Sequence, residues 1–166
     1  ISPDIDESRN KNEPVDIFVK RLSIEKAMKI ALLKKNSIVI GSDEIAVVGN
    51  KILGKPLTKK NAQKQLNLIS GKKVIFKTGI CVIDTNTMKK YSSVVNYYVQ
   101  MKKLSKKIID NYIAKEDMLS CAASIRMEGL AISLIKKTAG QDPTSVIGLP
   151  LIRLTTYLEK FGYKEQ

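Results

Sequence analysis

The stretch Ser37–Pro56, SIVIGSDEIAVVGNKILGKP, sets two apolar runs around a pair of adjacent carboxylates. Ile38-Val39-Ile40 and Ile45-Ala46-Val47-Val48 have the branched, apolar composition of buried strand, and Gly41-Ser42-Asp43-Glu44 interrupts them. An unpaired carboxylate is costly to bury, so Asp43 or Glu44 is expected to face a cleft, a cation or a metal. The alternative is a sheet edge with a solvated acidic turn. Gly49-Asn50 then turns the chain back, and Gly54-Lys55-Pro56 brings a cation into the same neighbourhood. Carboxylate and lysine together suggest phosphate chemistry, against the plainer reading of an unrelated surface lysine.

The side chains available narrow the chemistry. The 166 residues include no histidine and only two cysteines, Cys81 and Cys121. Histidine bases, Ser-His or Cys-His pairs and ordinary zinc sites are therefore excluded. Carboxylates and lysines remain to act, with oxygen ligands for a hard cation such as magnesium or manganese. Both cysteines sit among small or apolar neighbours and read as reduced core residues. The net charge of +13 invites a nucleic-acid reading, but arginine occurs only at Arg9, Arg21, Arg126 and Arg153, and lysines are scattered along every element. Scattered lysine is the mark of solvated faces, which argues against a dedicated polyanion surface while still attracting anionic ligands.

With 43% hydrophobic and 27% charged residues, the chain reads as one globular domain over residues 1–166. No apolar run approaches membrane-spanning length and no leader pattern opens the chain, so the expectation is a soluble cytoplasmic protein without a membrane partner.

Pro3-Asp4-Ile5-Asp6-Glu7 places three carboxylates in an opening loop, either a solvated acidic turn or oxygen ligands for a metal. From Pro14 the pattern is helical, with Val15, Val19, Leu22, Ile30 and Leu33 on one stripe and Lys26 among them. That lysine either snorkels to solvent or offers an ammonium to a ligand's charge. Arg21 and Glu25 stand one turn apart as an ion pair. Thr58 caps a helix stopped by Ser70-Gly71, Lys73 to Asp84 and Tyr91 to Met101 read as strands, and Ser105 caps a short helix. Leu119 to Ile125 and Leu130 to Ile135 read as strand around Arg126-Met127-Glu128-Gly129, making Glu128 either a cleft residue or an exposed bulge. A loop over 139–143 and an amphipathic helix over Leu149–Phe161 close the chain. Alternating strands and helices predict an α/β or α+β fold with flanking helices on a mixed, twisted sheet.

Six motifs in order resemble the Maf nucleotide pyrophosphatases. They are Pro3-Asp4-Ile5-Asp6-Glu7, Arg21-Leu22-Ser23 with Lys26-Ala27, Gly41-Ser42-Asp43, Ile52-Leu53-Gly54-Lys55-Pro56, Ser70-Gly71 with Thr78-Gly79, and Gly148-Leu149-Pro150-Leu151. A finer pattern, Ile109-Asp110-Asn111-Tyr112, Cys121-Ala122-Ala123-Ser124, Glu128-Gly129 and Asp142-Pro143, is similar to the branch acting on 7-methyl-GTP. The resemblance implies hydrolysis of a modified nucleoside triphosphate to monophosphate and pyrophosphate, a divalent cation (magnesium, manganese or cobalt), a homodimer and nucleotide-pool sanitation in the cytoplasm. It implies Asp43 as general base, Glu7 with Asp43 at the metal, Lys26, Lys55 and Arg21 at the phosphates, and Glu44 and Glu128 at specificity positions.

Two departures accompany the likeness. The family's Ser-x-Ser-x-Arg-Arg phosphate loop and first strand have no counterpart after Ile1, so they are expected to be missing from this chain. Glu44 stands where this branch usually has glutamine. The rival expectations are a pyrophosphatase for dTTP and UTP, or a non-catalytic basic interaction protein linked to cell division.

Overall fold

The computed structural model describes residues 1–163. Its elements run α1 (Val15–Ala31), β1 (Ile38–Val48), β2 (Lys51–Leu53), α2 (Lys59–Ile69), β3 (Lys73–Asp84), β4 (Lys90–Met101), α3 (Lys106–Lys115), β5 (Ile135–Gly140) and α4 (Leu151–Lys160). The strands form one sheet in the order β2-β1-β3-β4-β5. The β1–β2 and β4–β5 ladders are antiparallel, and the second carries an irregularity at Gln100/Met101. The α/β class with helices flanking a sheet is as expected.

Two compact units divide the described residues. The first comprises Ile1–Glu44, Lys77–Val95 and the chain from Asp142; the second comprises Ile45–Phe76 and Asn96–Gln141.

In the first unit, strand alternation sorts side chains onto opposite faces. Val39, Cys81 and Ile83 point to one face and pack with Ala27 and Ala31 of α1. Ile80 and Val82 point to the other and pack with Leu154 and Tyr157 of α4, with Ile38 and Tyr91 at their edge. The same parity puts Gly41, Asp43 and Gly79 on the α1 face, and Ser42 and Thr78 on the opposite one. Gly41 and Gly79 let α1 lie directly on the strands. A methyl group on Gly41 would stand 2.6 Å from the Ala27 nitrogen, and one on Gly79 would stand 2.9 Å from the Val19 carbonyl carbon. On the other face the Ser42 hydroxyl lies 2.6 Å from the Gly148 carbonyl oxygen and 2.9 Å from that of Gly79, while Thr78 donates to the Ser145 carbonyl at 2.7 Å. These bonds fasten the 142–150 loop to the sheet.

In the second unit, Thr58 accepts from the Asn61 amide at 3.2 Å and Ser105 from the Ile108 amide at 3.4 Å, capping α2 and α3 as their sequences predict. Gly71, at φ 71°, reverses the chain after α2. Ala62, Leu66, Ile69, Ile109 and Tyr112 are buried.

The structure corrects four local expectations. Strand β1 is not broken at Gly41-Ser42-Asp43-Glu44 but runs unbroken through it, because alternation directs successive polar side chains to different faces and bonds. Neither Leu119–Ile125 nor Leu130–Leu134 is strand. These segments form short 3-10 turns at Ala122–Ser124 and Leu130–Leu134, the first with left-handed φ at Ala123 and Ser124. The final strand starts at Ile135 and takes in Ala139 and Gly140, expected as loop; Gly140 fits there because a side chain would strike the Tyr97 ring. Leu33 lies beyond α1 and is 72% exposed, so the apolar stripe ends with Ala31.

Candidate active site

Three of the expected site residues meet on the α1 face of the first unit. Lys26 lies between the turns of α1 that rest on Gly41, so its side chain reaches the next inward residue of β1, Asp43. Its ammonium Nζ is 2.6 Å from Asp43 Oδ1 and 2.7 Å from Glu7 Oε1. The side chains of Lys26 and Asp43 are 18% and 12% exposed, and that of Glu7 is 59% exposed. Burial opposes the charge on Lys26, but the bonds to Asp43 and Glu7 outweigh it and hold the ammonium above the usual lysine range. Lys26 is therefore neither snorkelled nor solvated; it is the cation that Asp43 requires.

The loop carrying Glu7 is fixed to α1. Arg21 binds Glu13 through Nε (2.8 Å) and Nη2 (2.9 Å), Glu25 through Nη1 (3.1 Å) and the Ser8 carbonyl through Nη2 (3.0 Å). Lys29 donates to the Asp4 carbonyl. The Glu13 carboxylate is buried, and the Arg21 guanidinium holds its pKa below the usual range. All three guanidinium nitrogens of Arg21 are thus engaged within the protein. The expected Arg21–Glu25 pair is present, and the stronger bidentate partner is Glu13, eight residues away, which no helical spacing signals.

The remaining expected residues lie as follows. Glu44 follows Asp43 on β1 and is partly buried. Lys55 is exposed in the second unit, just after β2. Glu128 is in the second unit with its side chain 53% exposed, 3.5 Å from Arg126 Nε. Arg126 also binds Glu116 at 3.1 Å; the buried Glu116 carboxylate accepts from the Leu130 amide at 2.6 Å and packs under Gly129. Glu128 is an exposed loop residue, with no strand on either side of it.

Asp142, which the family likeness includes within Asp142-Pro143 without a role for its side chain, is 2% exposed. Its Oδ1 accepts from the Thr144 amide and hydroxyl, and its Oδ2 from the Ile152 and Arg153 amides at 2.8 and 3.2 Å. One carboxylate therefore caps both the Pro143–Ile147 turn and α4. The signal was available in Asp142-Pro143, an acceptor followed by proline at the first helical position.

Among the described residues, no three or more His, Cys, Asp or Glu side chains are grouped to hold a metal ion, and no helix is long and apolar enough to cross a membrane. The oxygens that do converge are those of Glu7 and Asp43, both within 2.7 Å of one positive nitrogen.

The Maf-like protein family model matches residues 1–161. The chain is 44% identical over 162 residues to the 7-methyl-GTP pyrophosphatase of Nitrosococcus oceani, covering 98% of this chain and 81% of that protein. It is 44% identical to the protein of the same name from Alcanivorax borkumensis, covering 97% and 82%, and 43% identical to that from Aliivibrio fischeri, covering 98% and 84%. The motifs on α1 and β1 and these similarities along nearly the whole chain agree, and the chain belongs to the Maf family.

Proposed function

We propose that this chain is a nucleoside triphosphate pyrophosphatase that hydrolyses 7-methyl-GTP to 7-methyl-GMP and pyrophosphate. The observation that carries the reading is the Glu7–Lys26–Asp43 cluster, in a chain related to proteins named for that activity. Asp43, low in exposure and next to a cation, is the residue we assign as general base. It removes a proton from the water that attacks the α-phosphorus as the bond to the bridging oxygen breaks and pyrophosphate leaves. Lys26 and Lys55 are assigned to the phosphate chain, where ammonium groups offset negative charge that shifts toward the leaving pyrophosphate. Arg21 is assigned to holding the Glu7 loop against α1, since its guanidinium is already engaged there.

A divalent cation fits the donor set. Glu7 and Asp43 already share one cation, and these two carboxylates are the hard oxygen donors that would hold magnesium, manganese or cobalt. When bound it would supply charge neutralisation at the phosphates. Methylation at N7 makes guanine cationic, and Glu128 is the acceptor we assign to its N1 and exocyclic amine, with Glu44 as the second specificity residue. The family likeness extends the proposal to a cytoplasmic homodimer.

Pyrophosphate release from 7-methyl-GTP, GTP, dTTP and UTP, with and without each metal, tests this. Turnover should be fastest with 7-methyl-GTP and should require the metal. Asp43→Asn should lower kcat by about 10²–10⁴-fold while the circular dichroism spectrum is retained. Comparable turnover of dTTP and UTP with none of 7-methyl-GTP overturns the substrate, and a fully active Asp43→Asn overturns the base.

A further inference from the structure

We infer that Lys26 and a divalent cation compete for the same pair of carboxylates, so that the metal binds tightly only when a phosphate chain draws the lysine away. The inference rests on the pyrophosphatase reading of this cluster and concerns how its charges are exchanged. Two of the three ammonium donors of Lys26 are directed at Asp43 Oδ1 and Glu7 Oε1, at 2.6 and 2.7 Å. These are the hard oxygens a dication would use. An ammonium and a dication cannot share that point, because like charges at contact distance in a cluster this sheltered repel strongly.

The backbone that carries Lys26 is held in place. Its neighbour Ala27 is fully buried and α1 lies against Gly41, so the ammonium moves by rotation of its own methylenes and not by withdrawal of the helix. Glu7 is likewise retained near by its loop, which Arg21 ties to α1 through Ser8 and Lys29 through Asp4. The carboxylate pair therefore stays in place while its cation is exchanged. A phosphate oxygen is the acceptor that can take the displaced ammonium, so nucleotide lowers the cost of metal entry, and by reciprocity metal lowers the cost of nucleotide binding. One lysine thus serves two partners in turn, the carboxylates before substrate arrives and the phosphates after.

The test is direct Mn²⁺ binding without nucleotide, followed by electron paramagnetic resonance of the free ion and by calorimetry. Lys26→Met should bind Mn²⁺ about tenfold or more tightly than the wild type. Lys26→Arg, which keeps a cation between the carboxylates, should bind as weakly as the wild type, and Asp43→Asn added to Lys26→Met should remove the gain. Should Lys26→Met fold poorly, Lys26→Gln is read by the rise of its melting temperature with Mn²⁺, which should exceed that of the wild type. Unchanged or weaker Mn²⁺ affinity in both Lys26→Met and Lys26→Gln overturns the exchange. The titration involves no turnover, so failure to hydrolyse 7-methyl-GTP would sink the proposed activity and leave this result standing, and the reverse holds equally.

Discussion

Gly41→Ala should damage stability and turnover together, through a single added methyl group. That methyl would stand 2.6 Å from the Ala27 nitrogen and 2.8 Å from Ala27 Cβ, and closer still to the Ser23 carbonyl oxygen, whereas ordinary contact begins at 3.4 Å. The opposing wall is helix backbone, which has no rotamer to change. Helix α1 must therefore retreat by roughly 0.8 Å or more for the methyl to fit. Overpacking costs about 1–3 kcal/mol, and a rigid wall places this substitution near about 3 kcal/mol. For a chain of this length that lowers the melting temperature by about 6–12 °C. The displaced segment carries Lys26, whose methylenes must then re-extend to keep the 2.6 Å bond to Asp43, so the ammonium is held less well in place. A shift of about 1 Å in a positioned group can cost on the order of 10²-fold in rate. Thermal and urea unfolding followed by circular dichroism, beside pyrophosphate release, measure both effects. Gly54→Ala is the control, since nothing lies within 4 Å of a methyl there, and its stability should stay within about 0.5 kcal/mol of the wild type. A Gly41→Ala protein that melts with the wild type would refute the argument that α1 rests on glycine.

Other perturbations probe separate parts of the molecule. Asp142→Ala removes a buried carboxylate that accepts from the amides of Thr144, Ile152 and Arg153, and should cost about 2 kcal/mol in urea unfolding; a change under about 0.5 kcal/mol would show that α4 does not depend on this cap. Arg21 lowers the pKa of Glu13 below its ordinary 4.5 in the folded protein, so the stability from this pair is complete above that pH and is lost as pH falls through the lower, folded value. Glu13→Gln lacks the titration, so its urea midpoint should fall less than that of the wild type between about pH 6 and pH 3; an equal fall would refute the linkage. Burial, opposed by Lys90 and Lys20, pushes the Cys81 thiol up to about 11, and the residue is fully buried. Iodoacetamide at about pH 8 should therefore label Cys121 in the native protein and reach Cys81 only after denaturation, as peptide mass spectrometry would show; native labelling at Cys81 would contradict this.

Local signals carried much of the fold. Thr58 and Ser105 announced α2 and α3 because a hydroxyl at the first turn satisfies amides a few residues away, a relation contained in the sequence itself. The run Lys73–Asp84 is a strand over its full predicted length. Non-local effects decided the rest. The Gly41–Glu44 segment has the composition of an interruption between two apolar runs, whereas in the fold Ser42 and Asp43 face opposite ways and each finds a partner far along the chain. The small and apolar residues from Leu119 to Leu134 satisfy a strand pattern, yet the backbone there turns, with Ser124 donating to Gln65 Oε1 and Tyr112 donating to the Ser124 carbonyl.

The sequence by itself narrowed the chemistry: without histidine, and with a carboxylate set between apolar runs, carboxylates and lysines are the charged groups this chain offers for it. Tertiary structure alone decided that Glu7, Lys26 and Asp43 share one point, because their meeting depends on α1 lying against the bare backbone of Gly41 and on Arg21 anchoring a loop eight or more residues away. Those are contacts between segments whose spacing along the chain carries no periodic signal, so the family likeness could group these residues at one site but not show that the lysine bridges the two carboxylates.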